Sequence, residues 1–323
     1  MPEAVCLGEI LIDMIPDKKG ASWNEISHFT PIPGGAPANV CIGLAKLGVK
    51  AGFIGKVGED PFGQILVDVL QKNGVDVSRV RFDPDTRTTL AFVCIKKEGE
   101  NDFVFYRNPG ADMMLRQEEL DENFIAESSI FHFGSISMTS EPCYSATLKA
   151  IEFARKHKTF ISFDPNLRPN LWKNLKEAKE KIIEGIKSAD LVKLNETELE
   201  FITGTKNLVK GAENLLQKGP KIVVVTQGEK GSFFYNRKGY GFMPAYRVKV
   251  ADTVGCGDAF TAGIIYKLLK IKKITHLEKQ EMEKILKFAN AAGALTATKK
   301  GVIPSLPTIK DVEEFLKKVE TEK

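Results

Sequence analysis

Lys221-Ile222-Val223-Val224-Val225-Thr226 holds four consecutive aliphatic residues with no polar position between them. Such a run reads as a strand covered on both faces, and strands of that kind belong to parallel sheets flanked by helices. Working outward, similar β-rich runs occupy Ala4–Ile12, Ala51–Val57, Ile130–Phe133, Thr159–Phe163 and Asp190–Leu194. Longer helical segments separate them. Pro61–Asn73 opens on proline and stops before Gly74, a common way to begin and end a helix. Ser140–Lys158 has Ser140 as a cap, Pro142 in the first turn, and Leu148, Ile151 and Ala154 at helical spacing. Strands alternating with helices predict an α/β fold with a doubly wound, mainly parallel sheet.

Two stretches break this rhythm. Residues 14–33 carry little helical signal. Residues 88–107 contain the β runs Thr88–Lys96 and Asn101–Arg107, joined by Lys97-Glu98-Gly99-Glu100. That pattern predicts a hairpin with a glycine-containing turn. No linker, repeat or low-complexity tract interrupts the chain, so residues 1–323 read as one α/β domain. The stretches 14–33 and 88–107 form a small attached sheet. Ligands of such folds gather at the carboxyl ends of the parallel strands.

Composition narrows the class. The 323 residues are 43% hydrophobic and 27% charged, with a formal net charge of +4, ordinary values for a globular protein. The lysines are spread over predicted helix surfaces rather than clustered, which argues against a nucleic-acid partner. The longest stretch without a charged residue, 26–45, contains Pro31, Pro33, Gly34, Gly35 and Pro37 and cannot form a membrane helix. Five cysteines (6, 41, 94, 143 and 256) show no C-x-x-C spacing, so neither a zinc nor a redox site is expected. Their odd, sparse distribution fits a reducing compartment. The first sixteen residues lack a basic segment and carry Glu3, Glu9 and Asp13, unlike a signal peptide. Together these features predict a cytoplasmic protein. His132 falls in a predicted strand and reads as a core residue, while His28, His157 and His276 read as surface or loop positions.

Neither a G-x-x-x-x-G-K-[ST] loop nor a G-x-G-x-x-G fingerprint occurs. Two other glycine-bearing turns lead into helices. In Ala251-Asp252-Thr253-Val254-Gly255-Cys256-Gly257-Asp258-Ala259-Phe260-Thr261-Ala262-Gly263, the first helical turn leaves backbone N–H groups pointing outward. With the helix dipole they form an anion site. Asp258 either caps this helix or does chemistry beside the anion. In Pro33-Gly34-Gly35-Ala36-Pro37-Ala38-Asn39, continuing to Leu47-Gly48, Asn39 offers a donor and an acceptor suited to sugar hydroxyls. Close packing of small residues is the alternative there. Asn195-Glu196-Thr197-Glu198 reads on spacing alone as a capping box. Thr226-Gln227-Gly228-Glu229-Lys230-Gly231 reads as a turn, and Phe288–Ala294 as a small-residue packing helix around Asn290.

The two glycine-bearing segments resemble the two signature regions of the ribokinase-like (PfkB) carbohydrate kinase family, D-T-x-G-x-G-D and G-G-x-x-x-N, and the resemblance extends over the whole chain. Within the family the chain is most similar to a fructokinase. Gly8–Asp13, Phe105–Met113 and Phe163-Asp164-Pro165-Asn166-Leu167-Arg168-Pro169 carry that likeness. Cys256 departs from the family, which usually has alanine there. The resemblance implies a ribokinase-like fold with a β-sheet lid and an ATP-dependent sugar kinase that phosphorylates the 6-hydroxyl of fructose. It implies Asp258 as the base and the amides of Gly255, Cys256 and Gly257 as the anion hole. Asp13, Gly34, Gly35, Asn39, Phe105, Arg107 and Arg168 fall on the sugar side. Lys193, Asn195, Thr226, Gly228, Gly231 and Asn290 fall on the ATP side, with Asn290 near the adenine and Lys193 either at a phosphate or merely on the surface. Glu198 is implied in Mg²⁺ placement. Asp252, Val254, Thr296, Lys299, Gly301 and Ser305 match positions that hold K⁺ in relatives, although Asp252 also suits an Asx turn. Lids of some relatives pair subunits, which implies a homodimer. Ala91 and Phe105 stand where kinases of 2-keto-3-deoxygluconate tend to offer tyrosines, favouring a neutral sugar. A nucleoside kinase and a silent nucleotide- or sugar-binding regulator are the remaining alternatives.

Overall fold

The computed structural model describes residues 1–18, 20–95, 101–271, 274 and 277–321. The predicted turn 97–100 and His276 lie outside them. The strands are β1 (Ala4–Leu7), β2 (Leu11–Pro16), β3 (Phe29–Gly34), β4 (Ala51–Gly58), β5 (Asp76–Asp83), β6 (Leu90–Ile95), β7 (Asn101–Tyr106), β8 (Ile130–Gly134), β9 (Phe160–Asp164), β10 (Leu191–Asn195), β11 (Ile222–Thr226), β12 (Gly231–Asn236) and β13 (Gly239–Pro244). The helices are α1 (Ala36–Lys46), α2 (Pro61–Lys72), α3 (Glu122–Ala126), α4 (Cys143–Lys156), α5 (Leu175–Ser188), α6 (Glu196–Thr203), α7 (Leu208–Leu216), α8 (Cys256–Leu269), α9 (Lys279–Ala297), α10 (Val302–Ser305) and α11 (Ile309–Thr321).

Nine strands form one sheet in the order β13-β12-β11-β10-β9-β8-β1-β4-β5. It is parallel from β11 to β5, and β12 and β13 add an antiparallel edge. In β11, Ile222 and Val224 belong to one core while Val223 and Val225 belong to the other. β1 divides in the same way, with Ala4 and Cys6 on one face and Val5 and Leu7 on the other. Two-residue alternation thus sends successive aliphatic side chains into two helix-covered cores, which is why the strand sequences need no polar positions.

The expected single strand Ala4–Ile12 is two strands. Gly8 adopts φ +154°, the chain leaves the large sheet, and β2 joins β3, β6 and β7 in a second sheet ordered β3-β2-β6-β7. Four consecutive crossings therefore link the two sheets. The predicted cap Ser140 does not begin α4: the helix starts at Cys143, with Pro142 at its N-cap. His132 is buried, as expected, beside the Ser162 hydroxyl at 3.0 Å. Among the described residues no helix is long and apolar enough to cross a membrane.

Candidate active site

The glycine-bearing loop ends where α8 begins. Gly255 is its N-cap, at φ +80°, and a Cβ there would lie 2.5 Å from Val302 Cγ1. Only glycine fits both the left-handed turn and this contact. Asp258 sits in the first turn but does not cap the helix. Its Oδ2 instead accepts a hydrogen bond from Asn39 Nδ2 at 2.8 Å. Asn39 comes from the first turn of α1, so the two glycine-to-helix segments meet through one bond between residues 219 positions apart. Burial pushes the Asp258 carboxyl up to about 6, against the Asn39 hydrogen bond; the Asp164 charge adds to the rise, while Lys193 and Arg168 oppose it. Cys256 in the same turn keeps its proton, since burial and then Asp252 and Asp258 lift the thiol to about 11.

Asp13 lies on β2 against the Gly-Gly turn. A Cβ on Gly34 would fall 2.1 Å from Asp13 Oδ2, so the glycine makes room for the carboxylate. Burial raises Asp13 to about 7, with Arg168 pulling it down and Asp258 pushing it up. Two half-buried carboxyls and the exposed Arg168 guanidinium therefore share one field. In the small sheet Asp13 pairs with Ala91, and Ala91 with Phe105.

Lys193 is not a surface residue. It is buried on β10, with Nζ 2.9 Å from Asp164 Oδ2. Burial works against its charge, yet Asp164, Glu198 and Asp258 hold it above the ordinary lysine range. A Cβ on Gly257 would come 3.2 Å from its ammonium, so a cation stands at the open N-terminus of α8. The capping box is real: Asn195 Oδ1 accepts from Glu198 N at 2.8 Å, and Glu198 Oε2 accepts from Asn195 N at 2.9 Å. Glu198 Oε1 also accepts from Leu167 N at 2.8 Å. Burial, reinforced by Asp164, raises the Glu198 carboxyl. Asp164 Oδ1 is buried with no hydrogen-bond partner among the described residues.

Thr226 ends β11, and a short 3-10 turn, Gly228–Lys230, leads through Gly231 into β12. Asn290 accepts from Ser232 Oγ at 3.0 Å and donates to the carbonyls of Met243 and Pro244 at 3.1 Å each. Its amide thus braces α9 against the β12–β13 edge instead of standing free to pair a base. Arg107 is likewise committed: it is buried, with Nε 2.8 Å from Asp112 Oδ2 and Nη1 3.0 Å from Thr139 Oγ1. Phe105 and Arg107 line a cavity of about 280 Å³ beneath the small sheet with Thr139 and Asn170. The expected Asx turn forms, Val254 N donating to Asp252 Oδ1 at 3.2 Å. Asp252 Oδ2 also accepts from Gly301 N at 3.3 Å, joining the two loops. The Thr296 carbonyl accepts from Lys299 N at 3.3 Å, and Ser305 Oγ donates to the Val302 carbonyl at 2.6 Å.

Sequence reading missed three buried side chains: Asp164, Glu9 and Asp112. All three lie inside motifs that were recognised, but only their partners distant in sequence distinguish them from solvated neighbours. A half-buried base beside the first-turn amides and an ammonium can take a proton from an alcohol while an anionic group rests on the helix N-terminus.

Residues 1–309 match the pfkB family carbohydrate kinases. The chain is 43% identical over 314 residues to probable fructokinase-2 of Arabidopsis thaliana, covering 97% of this chain and 95% of that relative. Fructokinase from Xylella fastidiosa with bound ATP superposes with a TM-score of 0.90 at 31% identity, covering 99% of this chain and 100% of that one. Fructokinase from Vibrio cholerae O395, in its fructose, ADP and calcium ion bound form, superposes with a TM-score of 0.88 at 32% identity, covering 98% and 99%. With the architecture shared and the match running nearly end to end, the chain belongs to the pfkB family of carbohydrate kinases.

Proposed function

We propose that this chain is an ATP-dependent fructokinase that transfers the γ-phosphate to the 6-hydroxyl of D-fructose in the cytoplasm. The observation that carries the reading is the half-buried Asp258 carboxylate, held by Asn39 in the first turn of α8. An alcohol is about as weak an acid as water, so Asp258 orients the hydroxyl and accepts its proton late, as a loose phosphoryl-transfer transition state allows. The amides of Gly255, Cys256 and Gly257, with Lys193 beside them, receive the negative charge of the transferring group. Asp13, Asn39, Gly34 and Gly35 hold the sugar, with Arg168 and Phe105 at its edge; Arg107 acts from beneath by fixing the small sheet. Asn195, Thr226, Gly228 and Gly231 flank the nucleotide, and Asn290 shapes its pocket from behind. Fructokinases of the same fold, crystallised with ATP and with fructose and ADP, support this reading.

The unpartnered Asp164 Oδ1 beside Glu198 is an all-oxygen acidic donor set that suits Mg²⁺. When bound, Mg²⁺ would neutralise phosphate charge there. Asp252, the carbonyls of Val254, Thr296, Lys299 and Gly301, and Ser305 would hold K⁺ and steady the anion-hole loop. The small sheet acts as a lid that excludes water from the reaction. Val104 and Tyr106, exposed on it, support pairing of two copies through this lid.

A neutral sugar fits better than 2-keto-3-deoxygluconate. The neighbours of Asp13 across the small sheet are the apolar Ala91 and Phe105, and Arg168 already serves two carboxyls. An ADP-release assay over fructose, 2-keto-3-deoxygluconate and nucleosides, with and without K⁺, tests this. Fructose is expected to be preferred; a clear preference for the keto acid overturns the assignment. The acid limb of kcat/KM for fructose is expected between pH 6 and 7. Protonation of Asp13 at about 7 and Asp258 at about 6 removes the sugar acceptor and the base as pH falls. A profile flat down to pH 5 would remove both carboxylates from these roles.

A further inference from the structure

We propose that Glu9 is a positioning residue that ties the root of the lid to the start of α1 and thereby sets where the Asn39–Asp258 pair meets the sugar. The kinetic side of this inference rests on the proposed function; the tie itself rests on geometry alone.

The chain enters the small sheet between Leu7 and Leu11 and leaves it between Gly34 and Ala36. Glu9 stands in the first crossing, and its Oε1 accepts from Ala36 N, in the second, at 2.9 Å. The two backbones touch as well: a Cβ on Gly35, at φ +108°, would lie 2.5 Å from the Glu9 carbonyl oxygen. The remaining crossings, after β5 and after β7, are joined to each other. Thr89 Oγ1 donates to Asp112 Oδ1, Arg107 Nε to Asp112 Oδ2 at 2.8 Å, and Ala111 N to the Arg87 carbonyl at 2.9 Å. Arg107 and Asp112 both act electrostatically on Glu9. The four roots of the lid are therefore tied in two pairs, one through Glu9 and one through Thr89, Arg107 and Asp112, and these four side chains are each no more than 5% exposed.

The Glu9 tie is the one whose bond leads to the chemistry. Ala36 is the first residue of α1; Asn39 N donates to the Gly35 carbonyl at 2.9 Å in the same turn, and Asn39 Nδ2 reaches Asp258. Glu9 Oε2 is buried without a hydrogen-bond partner among the described residues. Most buried polar atoms have a partner, so a carboxyl kept there with one oxygen unmatched serves something other than packing.

The test compares Glu9→Ala, Glu9→Gln and Glu9→Asp with the parent chain. The measurements are KM for fructose and for ATP, kcat, and ATP hydrolysed per fructose phosphorylated. Glu9→Ala is expected to raise KM for fructose about tenfold and to increase wasted ATP hydrolysis, with KM for ATP within about twofold. Glu9→Gln keeps an acceptor for Ala36 N–H and is expected within about threefold of the parent. Glu9→Asp shortens the side chain by one methylene, draws the acceptor away from Ala36 N–H, and is expected to shift KM for fructose in the same direction as Glu9→Ala. Unchanged KM for fructose in Glu9→Ala overturns the proposal, as does equal impairment of Ala and Gln variants with both KM values moving together. If Glu9→Ala does not fold, Glu9→Asp decides: an unchanged KM for fructose overturns the proposal. If the parent phosphorylates no fructose, the functional reading fails separately. Amide exchange at Ala36 and Asn39, faster in Glu9→Ala than in the parent, then decides the tie.

Discussion

Replacing Asp258 by asparagine is expected to lower kcat about 10²–10⁴-fold while leaving the melting temperature at or above that of the parent chain. The amide keeps the shape of the side chain in the first turn of α8 but cannot accept the sugar proton. Stability moves the other way because burial raises the carboxyl to about 6 from the model-peptide value of 3.8. A carboxyl raised by folding contributes stability below its unfolded value, and that stability is lost as pH rises through the folded one. At pH 7.5 the parent chain therefore carries the cost of a desolvated carboxylate, and the amide does not. Steady-state kinetics and thermal unfolding at pH 7.5 check both halves. A kcat within twofold of the parent would take Asp258 out of the proton-accepting role.

Gly255→Ala should be nearly as severe for turnover and clearly worse for folding. A left-handed conformation costs a non-glycine residue about 1–2 kcal/mol. The new methyl would also press on Val302 Cγ1 from 2.5 Å, and overpacking of this kind costs about 1–3 kcal/mol. Relief of the clash tilts the N-terminus of α8, and loss of one well-aimed donor lowers kcat about 10²–10³-fold. Adding Val302→Ala should restore part of the melting temperature, since it removes the contact. Turnover should stay low, because the backbone at residue 255 remains strained. Parent-like kcat in Gly255→Ala would show that these amides do not carry the transferring charge.

Legibility followed the range of the interaction. The capping box at Asn195 and Glu198 spans three residues, and its spacing alone was enough to read it. The same spacing did not disclose that Glu198 is buried beside Asp164, because Asp164 arrives from the neighbouring strand β9. Lys193 could be a surface residue by composition, and only its parallel register between β9 and β11 carries it inside. Asn290 sits in a small-residue helix as expected, but its amide is used by the β12–β13 edge.

Periodicity and turn chemistry, both properties of neighbouring residues, determined from sequence alone that this chain builds a parallel sheet between helix layers with two glycine-led helices above it. The tertiary structure decided the rest. It divided the first apolar run at Gly8 into two sheets, brought Asn39 to Asp258, paired Lys193 with Asp164 and joined Glu9 to the start of α1. A contact between residues far apart in the chain leaves no periodic trace, because its energy depends on where whole strands and helices pack.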